Sequence, residues 1–506
     1  QGDGVAIHAE LDSSKSAGLA SGISANVIGS TVSVLGNDID VSAKSNLSSR
    51  GVHLGSDAIG PAGSASARAS QKGVSEGGAA AQEALLVIGS DGSQKVAISA
   101  QGGQAATGVL LTGPKGQVPG ISSARILGQA ITIQAKSDHS AAGVDVWDGS
   151  KLALGGADSA ITVTAEGEDA YGVAAQTGST VDINGKTLDV RGEGGSSVGI
   201  HAQNNTVDAT DGFATVNVNS AKTVIKAGTG LSAMSQGRIY VNGDLDVDAE
   251  SAVLARGNSL VSINASGKST VKLQGDIDFN YDRKTSGTTT DAAVSINLSN
   301  ADSYWVGNSK TSVDSGTPAA GMRTGKLNLA LSNGASWTPT KVDSSVKDSR
   351  AEALNSVKLS GGVINLTSEG PESVDIKSLS GNGTVNAAVT KADGALKAAG
   401  ALNIQSGESR LDIVAQGITA DDVADDAQLS AISGVVRRGD DASITTTATV
   451  QEGLVKGEII QTTDASGKTA TSQGVNSKLA SLGSLGVAGL LAWRHETNDL
   501  TKRMGE

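Results

Sequence analysis

Two Gly-x-Ser-x-Gly runs, five histidines, the closely spaced aspartate pairs of residues 421–426 and one Arg-Gly-Asp tripeptide are the residues whose types and spacing bear on chemistry. Gly73-Val74-Ser75-Glu76-Gly77 and Gly195-Ser196-Ser197-Val198-Gly199 have nucleophile-elbow spacing, which requires the serine on a sharp strand-to-helix turn. Neither run precedes a helical pattern, and a chain with 67 Gly produces such matches by chance. His8, His53, His139, His201 and His495 are far apart and lack metal-ligand spacing. Three of them, His8, His53 and His201, follow a recurring glycine by two to four residues, which predicts a surface ladder rather than a metal site. Asp421-Asp422 and Asp425-Asp426 resemble the paired acids of sugar cleavage, but they open an acidic helical stretch where capping accounts for them. No Gly-Asp-Ser-Gly, no Gly-His-Gly and no calcium-binding nonapeptide occurs. The reading is therefore not an enzyme, with no catalytic residue, no cofactor and no metal.

Two features point to binding instead. Arg438-Gly439-Asp440, within Val436 to Asp441, is an adhesive tripeptide of the kind integrins recognise, or else a polar turn. Between Lys268 and Lys358, eleven basic residues face nine acidic ones in an otherwise acidic chain. Arg283-Lys284, Tyr304-Trp305 and Trp337 lie in that belt, and aromatics beside cations suit a glycan or sulfated polysaccharide. The competing expectation is that Trp305 and Trp337 plug the interior.

The elements that must position these residues follow from composition. The chain has 506 residues, 2% aromatic and 38% hydrophobic overall, no Cys and a formal net charge of −13. One globular core stops growing near ~250–300 residues. A chain that keeps Val, Ile, Leu and Ala but avoids rings builds something narrow. The negative charge argues against nucleic acid, and without cysteine no disulfide staples the fold in an oxidising compartment. No signal peptide is visible at Gln1, which reads as a mature or trimmed form. The longest apolar run, Leu479 to Trp493, is broken by Ser and Gly and falls short of the ~20 residues of a membrane-spanning helix.

The body is periodic. A glycine followed by an aliphatic residue recurs at Gly4, Gly22, Gly51, Gly108, Gly143, Gly172, Gly199 and Gly230, with steps of 29, 27 and 31 residues from Gly143 onward. Read as strand starts, these are followed by two further alternating runs, as in Val144-Asp145-Val146-Trp147, Leu152-Ala153-Leu154 and Ile161-Thr162-Val163-Thr164. Alternation puts one face inward, and the intervening Gly, Asn, Asp and Ser suit tight corners. Three short strands per unit predict an all-β, right-handed parallel β-helix. An antiparallel sandwich would need hairpin dipeptides at most strand ends, and Asn184-Gly185 and Asn242-Gly243 are too few. Ser56 to Gln82, Tyr281 to Asp291, Asn308 to Met322 and Pro339 to Arg350 break the pattern and are expected to protrude as loops.

From about Asn355 the texture changes. Leu379-Ser380-Gly381-Asn382-Gly383-Thr384-Val385 resembles the Leu-x-Gly-x-Gly-x-Val run near the passenger C-terminus of pertactin-like and self-associating autotransporters. The last stretch, Trp493-Arg494-His495-Glu496-Thr497-Asn498-Asp499-Leu500-Thr501-Lys502-Arg503-Met504-Gly505, resembles the junction between an autotransporter passenger and its outer-membrane barrel over about twelve ungapped positions.

The resemblance implies a type V autotransporter passenger of the self-associating, AIDA-like adhesin kind. Its implied organisation is a β-helix over 1–354, a pertactin-like C-terminal β-cap over 355–463, a linker over 464–475 and a short junction helix over 476–506. A cap covers unpaired backbone at an open end of the stack, and in the family it folds first during secretion. The barrel, absent from this chain, would be one partner; the implied place is the bacterial cell surface, reached through the periplasm. Some relatives cleave themselves between paired Asn residues, where this chain has Asn498-Asp499, so the junction keeps only the first. The implied function is adhesion: homotypic, with rods side by side and avidity summed over many copies, or alternatively toward a host glycan or matrix protein through the 268–358 belt.

Overall fold

The computed structural model describes residues 3–11, 18–25, 31–55, 84–113, 122–204, 212–281, 292–313, 325–345, 349–418, 422, 431–452, 455–463 and 469–471. The chain forms two compact units, Gln1–Ser295 with Ser312–Gly325, and Ile296–Thr311 with Lys326–Glu506.

The first unit is a parallel β-helix with three faces per coil. On the first face Gly4–Glu10, Asp38–Ser45, Lys95–Gly102, Ala130–Ser137 and Ala160–Glu166 pair in parallel, and the ladder continues into the later half of Thr180–Glu193. The second face stacks Leu19–Ala25, Ser48–Leu54, Ala105–Thr112, Ser140–Trp147, Asp169–Gln176, Ser196–Gln203 and Thr229–Met234. The third runs Thr31–Val34, Ala84–Ile88, Ser122–Ile126, Lys151–Leu154 and the first half of Thr180–Glu193, then Ala214–Lys226, Gly237–Val241 and Leu260–Ile263. Each coil thus satisfies its backbone on its neighbours, at a spacing of about 4.8 Å.

Alternation decides what is inside. Ala160–Glu166 buries Ile161, Val163 and Ala165 and turns Thr162 and Thr164 outward. Where the first and second faces converge, only small side chains fit, and Ala100, Ala106, Ala135, Ala141, Ala165 and Ala170 form one buried cluster. That narrowness is the physical reason the chain is poor in rings. The corner after the second face repeats a left-handed pair: Asp148-Gly149, Thr177-Gly178, Ser235-Gln236 and Gly257-Asn258. Asn and Gly adopt that conformation most readily. At one such corner Ser179 fixes the turn, accepting from the Gln176 N–H at 2.8 Å and donating to Val146 O at 2.6 Å.

One sequence expectation is corrected here. The recurring glycine does not start a strand: Gly143 lies within Ser140–Trp147 and Gly172 within Asp169–Gln176. Gly4 is not in the series, since it begins a strand of the first face and pairs with Asp38.

The second unit also stacks in parallel, through Lys326–Ser332, Ser336–Thr338, Ser356–Leu366, Val374–Ala392, Leu402–Gln416 and Val436–Glu452. It ends in antiparallel pairing of Val436–Glu452 with Val455–Thr463, and of that strand with Thr469–Thr471. The last strand falls in the stretch read as a linker. One inward column of this unit runs Trp305, Trp337, Ile364, Val385, Ile413 and Ala448. The Leu379-to-Val385 motif lies wholly within the strand Val374–Ala392.

Of the expected loops, Ser56 to Gln82 and nearly all of Tyr281 to Asp291 lie outside the described residues. The Asn308-to-Met322 interruption opens with a strand, Ser309–Val313. The junction helix, with Asn498 and Asp499, also lies outside the described residues.

Candidate functional site: an outer groove along a glycine bend

Register stacks seven glycines, Gly22, Gly51, Gly108, Gly143, Gly172, Gly199 and Gly230, into one column of the second face. Their backbone is not left-handed, so conformational freedom is not the reason for them. Space is. A Cβ on Gly51 would stand 2.7 Å from Gly108 O and 2.7 Å from Ile98 Cγ2. On Gly172 it would meet the Val190 side chain and lie 2.6 Å from Gly199 O. The partner on the opposite wall is always β-branched: Val41, Ile98, Ile133, Val163, Val190, Ile225 and Val247 in turn. The column ends at Ala252, in the layer where pairing to the next strand becomes irregular.

Each strand of this face is therefore dented into the core at its glycine, and the outer surface is hollowed. In a straight strand residues i and i+3 point to opposite faces. Here Arg50 Nη1 and His53 Nδ1, on either side of Gly51, approach to 3.5 Å. The Tyr171 and His201 rings, from flanking columns of successive coils, lie with centroids 5.2 Å apart.

The floor of the hollow is the column His53, Leu110, Asp145, Ala174, His201 and Ser232. Asp145 is half-buried and the others are buried, although alternation turns them outward. Trp147, Gln176, Gln203 and Met234 form one wall, each half-buried. Asp145 accepts from Gln176 Nε2 at 2.9 Å and from the Trp147 indole. Burial pushes its carboxyl up to about 6 against those two hydrogen bonds. Burial drives His201 down to about 4; Gln203 opposes this and the Arg256 charge adds to it. Neutral His201 sits 3.0 Å from the Ser232 hydroxyl through Nδ1 and 3.1 Å from Gln203 Oε1 through Nε2. The Tyr171 phenol is raised by burial and by the Asp169 and Asp145 carboxylates.

The structure places the sequence candidates as follows. His53 and His201 share a column but are separated by Leu110, Asp145 and Ala174, and both are buried, so the surface ladder does not form. His8 stands on the first face against Ser42, at 2.6 Å. Ser197 of the second Gly-x-Ser-x-Gly run is a buried residue within a strand, whose hydroxyl accepts from the Gly228 N–H. Ser75, Asp421, Asp425 and Asp426 lie outside the described residues, and Asp422 pairs with Lys391 at 3.3 Å. Among the described residues no three His, Cys, Asp or Glu side chains gather as metal ligands.

The belt does not present its tryptophans. Trp305 and Trp337 are fully buried and stacked, with centroids 5.2 Å apart and planes 7° apart. The Trp337 indole donates to Gly307 O at 3.1 Å. They fill the inward column, and of the three belt aromatics Tyr304 is the half-exposed one. Arg283 and Lys284 lie outside the described residues. Arg438 is folded onto its own strand, donating from Nε to Ile444 O at 2.8 Å and from Nη2 to Thr446 Oγ1 at 3.0 Å. Gly439 and Asp440 occupy the irregular corner that follows, and both are exposed. The guanidinium is thus held by the protein at the position where an attachment tripeptide extends it to a partner.

The groove is what sequence reasoning missed. The recurring glycine was its signal, but strand starts and mid-strand bends look alike until register is known. No family profile and no curated protein matches this chain. Among solved structures it is similar to the autotransporter UpaB from E. coli strain CFT073, at 16% identity over 90% of this chain and 95% of that one, with a TM-score of 0.42. A likeness of that degree assigns neither a family nor an activity.

Proposed function

We propose that this chain is the passenger of a type V autotransporter, displayed at the bacterial surface as an adhesin that associates with its own copies through the first face of the β-helix. The observation that carries the reading is the outer surface of that face. Its columns Ala6, Asp40, Ala97, Thr132, Thr162 and Asp189, and His8, Ser42, Ser99, Gln134, Thr164 and Arg191, are mostly short and polar, in register coil after coil. A third column carries Glu10 against Lys44 at 3.2 Å and Lys136 against Glu166. Such a surface offers many weak, repeated hydrogen-bonding positions to an identical surface, summed by avidity on a cell. The junction-like C-terminal sequence supports secretion as a passenger.

The test is sedimentation of the purified chain as a concentration series. With a net charge of −13, repulsion between copies is screened beyond a Debye length of about 8 Å at physiological salt, so reversible dimers should strengthen as salt rises from low values. Thr132→Arg with Thr162→Arg should abolish them by placing bulk and charge on the flat face. A strict monomer at high micromolar concentration, at every salt, would refute self-association and turn the search to host matrix proteins and glycans. In mixed cultures, cells should clump only when both partners display the protein.

A further inference from the structure

The floor and walls of the groove differ in chemistry from the first face, and they stand on another side of the coil. We propose that the three coils carrying Asp145, Trp147, Tyr171, Gln176, His201 and Gln203 form a binding site for an uncharged, hydroxyl-rich glycan chain lying along the stack.

Four observations converge on that class. First, the hollow is periodic. Equivalent positions recur every coil, at about 4.8 Å, which is close to the length of one extended pyranose unit, so successive sugars meet successive coils. Second, the rings are in the right place. Trp305, Trp337 and Phe279 are spent as core, whereas Trp147 and Tyr171 are half-exposed on the groove. Aromatic side chains that join a flat apolar face to a polar edge suit a surface that is half wet.

Third, the amides are complementary. Gln176 donates its amide N–H to Asp145 and keeps its oxygen as an acceptor. Its register neighbour Gln203 engages His201 through its oxygen and keeps N–H donors. A sugar hydroxyl both donates and accepts, so adjacent hydroxyls can meet both groups. Fourth, the strands Ser140–Trp147, Asp169–Gln176 and Ser196–Gln203 contain no Lys or Arg. Their one carboxylate on the floor, Asp145, repels sulfate and uronate groups, which disfavours an acidic polymer on these coils despite the Arg256 charge felt at His201.

The site is independent of the self-association face, and either can fail alone. The experiment titrates the purified full chain with three hexasaccharides: β-1,4-linked N-acetylglucosamine, β-1,4-linked glucose and a heparin fragment. Calorimetry is paired with tryptophan emission, in which Trp147 is the half-exposed reporter among the described tryptophans. One of the two neutral hexamers should bind and shift the emission, with the heparin fragment at least tenfold weaker. Trp147→Ala and, separately, Gln176→Ala should each weaken neutral binding roughly tenfold. Circular dichroism and melting confirm that each variant is folded, and Gln176→Ala, a smaller truncation on the half-buried wall, covers the case in which Trp147→Ala unfolds. Failure of both neutral hexamers at millimolar concentration would overturn the proposal, as would preference for heparin or neutral binding indifferent to both variants.

Discussion

Substituting Ala for Gly172 tests the physical basis of the groove most directly. The added Cβ would meet the Val190 side chain and stand 2.6 Å from Gly199 O. That oxygen cannot retreat, because the strands on either side are locked in register, Val173 to Ile200 and Tyr171 to Val198. Overpacking a close-packed interior costs about 1–3 kcal/mol. A Gly-to-Ala change at a compatible backbone otherwise stabilises by about 0.4–1 kcal/mol through the unfolded chain. The net expectation is a loss of about 1–2 kcal/mol.

Gly195 is the matched control. It is outside the left-handed region, and the nearest atom to an added Cβ is Glu168 O at 3.7 Å. Gly195→Ala should therefore be neutral or slightly stabilising, opposite in sign to Gly172→Ala. Because stacked coils need not unfold in one step, the readout is native-state hydrogen exchange at residues 169–176 and 196–203, alongside the denaturation midpoint. In a double-mutant cycle, Gly172→Ala should cost less in a Val190→Ala background than in the parent but still cost something, since the clash with Gly199 O persists. Equal stability of the two single Ala variants would refute the account of the dented face.

Three further outcomes are expected. Asp145, raised to about 6, destabilises the fold increasingly as pH rises from about 4 to 6, whereas His201, lowered to about 4, destabilises it as pH falls from about 6.5 to 4. The two therefore oppose each other across that window: by urea denaturation against pH, Asp145→Asn should lose stability on acidification more steeply than the parent, and His201→Gln should do the reverse. Trp337→Ala, which empties a fully buried position stacked on Trp305, should cost about 3–5 kcal/mol in a melting or denaturant experiment. Arg438→Ala removes the guanidinium hydrogen bonds to Val436 O, Ile444 O and Thr446 Oγ1 that tie its strand; it should lower stability by about 1–3 kcal/mol while leaving attachment of integrin-bearing cells unchanged, a result read from a plate adhesion assay.

Composition and period were enough to determine that strands stack into a narrow parallel coil, because ring-poor, alternating aliphatic runs separated by left-handed corner residues have few other ways to bury themselves. The left-handed corner at Asp148-Gly149 is a local demand, legible in local sequence, whereas the one at Thr177 is not. Only the tertiary structure decided which residues share a column. The pairing offset on the first face varies from 22 residues, Lys222 to Asp244, to 57, Asp38 to Lys95. The Gly-aliphatic pattern picks out the seven glycines, but no fixed period could have removed Gly4 from their column or shown that His53 and His201 are kept apart. Likewise the tryptophans of the expected belt point inward because register sets Trp305 on Trp337 and Trp337 on Ile364, and a one-residue shift in that register would have turned them to solvent. The groove belongs to that second kind of information: a glycine announces that space is short, but only the valine or isoleucine on the opposite wall says on which side.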